Sequence, residues 1–162
     1  MYDIIMDSHD RMKISTEEFQ LNTFQWEGIT KIHCPTDLTW DSLAFRAEEA
    51  PNIPLTRGVY AFVVRPGEHP IPPHQYLMYI GISRRTLRAR FREYFKEKAR
   101  MKRPKFYKYL TRYEDYLYFY FAPVKDESFD LRHLERALND ALLPPMNQMD
   151  FSADIRQARK AF

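Results

Sequence analysis

The hydrophobic and polar pattern changes period several times along the chain, and each change marks an element. Gly58 to Val64 (GVYAFVV) is a short run of β-branched and aromatic residues, which predicts a strand. Tyr76 to Gly81 (YLMYIG) repeats that texture and predicts its antiparallel return. Residues 65–75 between them hold four prolines, so the connection is an irregular loop and not a tight turn. From Thr86 the period lengthens: Leu87, Phe91, Tyr94 and Phe95 recur at helical spacing, giving an amphipathic helix to about Met101. Phe106, Tyr107, Tyr109 and Leu110 predict a shorter helix after Pro104. Tyr116 to Phe121 (YLYFYF) is a third strand, ended by Pro123, whose aromatics form core on one face and either an interface or a base-stacking platform on the other. Leu131, Leu134, Leu138, Ala141 and Leu142 share one face of a helix running from Asp130 to Leu143 and stopped by Pro144-Pro145.

The flanks are less regular. Ser15 followed by Glu18 has the spacing of a capping box and predicts a short helix start. Thr39 to Ala50, ahead of Pro51, predicts a second helix. A closing helix is expected from Asp154 to Phe162. The order of elements predicts an α/β (α+β) fold with a small three-stranded antiparallel sheet flanked by helices. The core spans 58–150, preceded by an acidic N-terminal extension over 1–57 that packs on the core or regulates it, and followed by a C-terminal helix over 151–162.

Composition narrows the chemistry. A chain of 162 residues fits one core. One cysteine, Cys34, leaves no internal disulfide and no multi-cysteine metal site. Four scattered glycines exclude a glycine-rich phosphate loop, so no nucleotide cofactor is expected. No apolar stretch approaches the roughly 18 residues of a membrane span, and the N-terminus lacks a signal-peptide pattern. These features predict a soluble cytoplasmic protein with no membrane partner. The net charge of +3 hides an asymmetry, because residues 82–112 carry 13 Lys/Arg against only Glu93 and Glu97. Residues 1–57 carry 5 Lys/Arg against 10 Asp/Glu. A dense basic block in a near-neutral chain predicts a polyanionic partner, and the plainer alternative is a solvated helix face.

The candidate chemistry lies around that block. Gly58-Val59-Tyr60 followed by Tyr79-Ile80-Gly81 resembles the paired motif of the GIY-YIG nucleases. Further positions agree in order: Leu87 and then Arg90 on the following helix, and Glu135 on a later helix, 12 residues before Asn147 beyond the Pro144-Pro145 turn. The resemblance covers 58 to about 147. It implies a metal-dependent endonuclease that hydrolyses phosphodiester bonds in DNA, with RNA the less expected substrate. By the same resemblance Glu135 holds one Mg²⁺ or Mn²⁺ and Arg90 holds the scissile phosphate. Tyr60 activates or orients the attacking water, and Tyr79 supports it. Asn147 fixes the local structure or the substrate. One carboxylate suffices for magnesium, which keeps several waters, and a guanidinium fork suits a phosphate better than a lysine does. Arg84, Arg85, Arg88 and Arg92 are expected to follow flanking phosphates.

The chain departs from the family at Ile82, where a lysine or small polar residue near the base is usual, so base activation falls to either Ser83 or Arg84, both of which are also expected to contact substrate. His69 and His74 lack a third nearby ligand, and His33-Cys34 point to opposite faces of an extended segment. Two other readings use the same residues: a catalytically inactive nucleic-acid-binding module on this fold, and an adaptor whose basic block binds an acidic protein.

Overall fold

A computed structural model describes residues 17–29, 38–66, 74–100, 103–147 and 151–161. The run Gly58–Val64 forms β2, buried from Gly58 to Val63, and its lack of polar positions places it in the middle of the sheet. Tyr76–Ser83 forms β3 on one side of it and Leu117–Pro123 forms β4 on the other, both antiparallel. A fourth strand, β1 (Asp41–Ala44), pairs with the outer edge of β4, so the order is β1-β4-β2-β3. The three-stranded expectation is therefore corrected to four. The helix expected from Thr39 to Ala50 is instead β1 followed by a 3-10 turn at Ala47–Asn52 that contains Pro51. The unpaired backbone of β4 explains the difference, because pairing it satisfies both edges. Phe45 extends the pairing by donating its N–H to Leu117 O at 2.8 Å.

Strand alternation divides the core. Tyr60, Phe62, Phe119 and Phe121 face α2 (Leu87–Arg100) and α3 (Pro104–Arg112), where Phe91, Tyr94 and Phe106 complete an aromatic cluster. Val59, Ala61, Val63, Ile80 and Ala122 face α4 (Leu131–Leu142). The base-stacking alternative for β4 loses its open platform, since Phe119 and Phe121 are core and the Arg65 guanidinium lies 3.7 Å from the Tyr118 ring centroid. Asp130 caps α4 by accepting from the N–H groups of Arg132 (2.9 Å) and His133 (3.3 Å). Leu143, at φ 44°, ends it in the left-handed region ahead of Pro144.

The helix start expected at Ser15 falls partly outside the described residues, and residues 17–22 are not helical. A short helix α1 (Thr23–Ile29) follows and packs on α4, with Asn22 Nδ2 donating to Asp140 O and Trp26 Nε1 to Ala141 O. The closing helix is α5 (Ala153–Arg159). His33, Cys34, His69 and most of the proline-rich loop lie outside the described residues. Among the described residues, no helix is long and apolar enough to cross a membrane.

Close approach explains the glycine in each of the two motifs. A Cβ on Gly58 would stand 2.3 Å from the backbone O of Ala122, and one on Gly81 would stand 2.6 Å from Tyr60 Oη. Each alanine substitution is expected to destabilise the protein by about 1–3 kcal/mol, the usual cost of overpacking. Urea unfolding midpoints measure it, and unchanged midpoints for both variants would contradict these packings.

Candidate active site

β3 is an edge strand, and its end delivers the chain into a short loop that starts α2. Ser83 Oγ donates to Thr86 O at 2.7 Å, and Thr86 Oγ1 accepts the Ala89 N–H at 3.0 Å, capping the helix. Beside this loop lies an open cleft of about 380 Å³. Ser83, Arg84, Arg85, Arg90 and Glu135 line it, so five of the residues singled out from sequence meet here. Ile82, Glu93 and Arg132 complete the lining. The cleft straddles the sheet edge: Arg90 reaches it from α2 on one layer, and Glu135 from α4 on the other.

Arg90 is held from four directions. Its Nε donates to Tyr60 Oη at 3.1 Å and its Nη2 to Tyr94 Oη at 3.3 Å. Its Nη1 donates to Glu93 at 3.2 Å and Glu97 at 3.1 Å. Burial alone lowers the pKa of this guanidinium, but the surrounding oxygens of Tyr60, Tyr94 and Glu93 outweigh it, and the net shift is upward. Glu97 shows the complementary effect. Burial raises its pKa, but the Tyr107 hydroxyl, Arg90 and Arg103 bring it below the ordinary value. Glu93 also pairs with Arg85, so one carboxylate bridges two of the cleft's arginines. That is the position a bidentate anion takes between two guanidinium groups.

Tyr60 is placed differently from its expected role. Its side chain is 1% exposed, and its hydroxyl lies 2.6 Å from Tyr94 Oη as well as against Arg90. Burial, together with Tyr94 and Tyr79, raises its pKa well above 10 despite the opposing pull of Arg90. A phenol so placed does not reach a cleft water and does not ionise near neutrality; it fixes the guanidinium of Arg90. Tyr79 is half-buried, with its ring centroid 6.3 Å from that of Tyr60, and it opens onto a neighbouring groove instead of the cleft.

Three other expected residues lie outside the cleft lining. Asn147 is buried; its side chain accepts from Ile80 N at 2.9 Å and donates to Ile80 O at 2.8 Å, closing the free edge of β3 as a strand would. Met146 N donates to Met78 O at 3.0 Å beside it. Arg88 clamps the 3-10 turn to α2 by donating to Ile53 O (2.7 Å) and Pro51 O (2.8 Å). Arg92 is exposed on α2. Sequence reasoning passed over Tyr94, Glu93 and Arg132. Tyr94 and Glu93 sit four and three residues after Arg90, on the same helical face, so the spacing carried a signal. Arg132 sits three residues before Glu135 on α4, and it supplies a cation beside Ile82, where the chain lacks the family's usual polar residue.

Among the described residues, no group of three or more His, Cys, Asp or Glu side chains forms a metal-holding cluster. Glu135 lines this open cleft and is the residue that would supply carboxylate oxygen to a hydrated hard cation such as magnesium.

The buried phenols predict alkaline sensitivity. Besides Tyr60, the hydrogen bond to Glu17 and partial burial push Tyr109 up to about 12, and burial with the Glu97 hydrogen bond raises Tyr107. A folded pKa above the unfolded value makes a stability contribution that is complete below pH ~10 and is lost as pH rises through the folded value. The melting temperature should hold to about pH 9 and then fall toward pH 12. A flat profile over that range would show that these phenols are not protected. Comparison with family models, with curated proteins and with solved structures finds no match to this chain.

Proposed function

We propose that this protein is a divalent-metal-dependent endonuclease that hydrolyses phosphodiester bonds in DNA through a GIY-YIG-type site. The observation that carries the reading is the meeting of Arg90 and Glu135 in one cleft across the β3 edge, with Arg90 locked behind by Tyr60 and Tyr94. Glu135 would hold Mg²⁺ or Mn²⁺, which supplies charge neutralisation at the phosphate and a more acidic bound water. In the reaction, water adds to phosphorus and one P–O ester bond breaks. Arg90 and Arg85 receive the scissile phosphate where the Glu93 carboxylate now bridges them, so substrate displaces Glu93. Arg84 and Arg132 meet the flanking phosphates; such contacts orient the strand and carry no base information. Ser83 braces the loop, and Tyr60 acts through Arg90 as a positioning residue. Tyr79 backs Tyr60, and Asn147 holds the edge strand from which the cleft is built.

The test is incubation with supercoiled plasmid and with branched DNA, with RNA for comparison, in Mg²⁺ or Mn²⁺ and in chelator. Metal-dependent cleavage of DNA is expected. A specific feature favours the second reading, a binding module without catalysis: Ile82 packs into the apolar cluster and leaves its position without a polar group. Tight salt-dependent binding with no cutting in any metal would establish that alternative.

A further inference from the structure

A second concavity lies on the other side of Tyr79. It has a volume of about 840 Å³, more than twice that of the cleft, and runs between α3 and the Pro145-Met146 turn. Its character differs from the cleft's. The cleft mixes arginines with two carboxylates, whereas among the described residues no acidic side chain lines this groove. Lys105, Lys108 and Arg112 repeat at helical spacing along α3, and Arg103 stands at the helix start. Among the described residues, neither lysine pairs with a carboxylate. Aromatic rings interleave with the charges, as Tyr79, Phe106 and Tyr109 form the wall.

An anion already binds at one end. Glu17, from the acidic N-terminal segment, accepts from Tyr109 Oη at 2.5 Å and Tyr113 Oη at 2.6 Å, with Arg112 Nη1 at 3.4 Å. That carboxylate is only 11% exposed although the segment around it is polar, so α3 has a real seat for a negative oxygen. At the other end Tyr79 contacts Tyr60, which holds Arg90. The groove therefore runs toward the back of the proposed catalytic arginine.

We infer that this groove is a binding site for an unpaired segment of nucleic acid, its phosphates on Lys105, Lys108 and Arg112 and its bases against Tyr79 and Tyr109. A duplex backbone needs only surface cations, whereas aromatic walls set between cations match a single strand, whose bases offer free faces for stacking. The proposed substrate is then DNA with a single-stranded arm beside the scissile bond. The inference deepens the proposed function and rests on its premise of a nucleic-acid substrate, but it does not depend on catalysis.

The test measures binding in chelator, so cleavage does not enter. Fluorescence anisotropy compares a labelled oligo-dT with a duplex of the same length, using the full chain and the exposed pair Lys105→Gln/Lys108→Gln. The double variant should bind oligo-dT about tenfold more weakly and the duplex within about twofold of the parent. Its log K against log salt slope for oligo-dT should fall by about 1.4, from about 0.7 per lost phosphate contact. Tyr109→Leu, which removes a ring but no charge, should weaken oligo-dT without altering that slope. Melting temperatures establish that the variants are folded. Parental affinity for oligo-dT in the double variant would overturn the inference, and so would an equal loss on duplex or no oligo-dT binding by the parent. If the parent never cleaves DNA but these differences persist, the nuclease reading fails and the groove stands.

Discussion

Replacing Glu135 with alanine should abolish the proposed metal-dependent cleavage while leaving DNA binding intact: this is the largest effect expected of any single substitution. The argument begins with charge. The cleft holds four arginines and two carboxylates, and Glu93 is bonded to Arg85 and Arg90. Glu135, on the opposite wall, is the carboxylate proposed to meet the cation, and without it the cleft is dominated by positive charge that repels a divalent ion. Losing one preorganised charge-stabilising group typically lowers kcat by about 10²–10³, and losing the ion as well should carry the rate below detection. Binding follows a different rule, because removing a negative charge from a basic cleft leaves affinity for a polyanion equal or higher. Stability should change by about 0.5 kcal/mol or less, since Glu135 is a half-buried helix position outside the packed core. The measurements are plasmid cleavage, anisotropy and thermal melting on the same preparation. Glu135→Gln should behave like the alanine variant, which separates charge from shape. Cleavage by Glu135→Ala at near-parental rate would place the metal elsewhere or remove it from the mechanism.

Much of this arrangement was legible from residue order. The central strand, its return and both core-facing helices follow from periodicity, because that signal is local, whereas the pairing of Arg90 with Glu135 was expected only through the family resemblance. What escaped depends on tertiary partners. Thr39-Trp40-Asp41-Ser42 has the look of a helix start, and only the open edge of β4 draws it into a strand. Asn147 had the right spacing from Glu135, yet its role as a clip on Ile80 requires knowing that β3 is an edge. Tyr60 was expected near water, but a strand buried on both faces leaves its hydroxyl no route out. Glu93 and Glu97 looked like exceptions in a basic tract. Their spacing of three and seven from Arg90 puts both on its face, which is where the structure pairs all three.

The second large effect follows from that pairing. Arg90→Lys keeps a positive charge between Glu93 and Glu97 but loses the planar fork, and cleavage should fall by about 10²–10³ with the protein folded. Four oxygens define the guanidinium plane: Tyr60, Tyr94, Glu93 and Glu97. A lysine ammonium satisfies the two carboxylates and leaves the two tyrosine hydroxyls to each other, at the 2.6 Å they already share. Arg90→Ala is a harsher change. It removes the guanidinium that Glu93 and Glu97 share and leaves each half-buried carboxylate with one cation, Arg85 and Arg103 respectively, so lost stability and lost chemistry would be confounded. The lysine variant avoids that and isolates geometry. Tyr60→Phe supplies the control for a positioning role: the ring and its packing stay, and the bonds of its hydroxyl to Arg90 Nε and Tyr94 Oη are lost. If Tyr60 acts through Arg90, its variant should lower kcat by about tenfold with KM little changed, and adding Tyr60→Phe to Arg90→Lys should cost little more, because the fork it aligned is already gone. Were Tyr60 itself the base, the two losses would multiply and the rise of rate with pH that accompanies ionisation of the phenol would vanish with the hydroxyl. A full additive loss in the double variant would therefore return the phenol to the chemistry, and a sub-additive one would keep it behind the arginine.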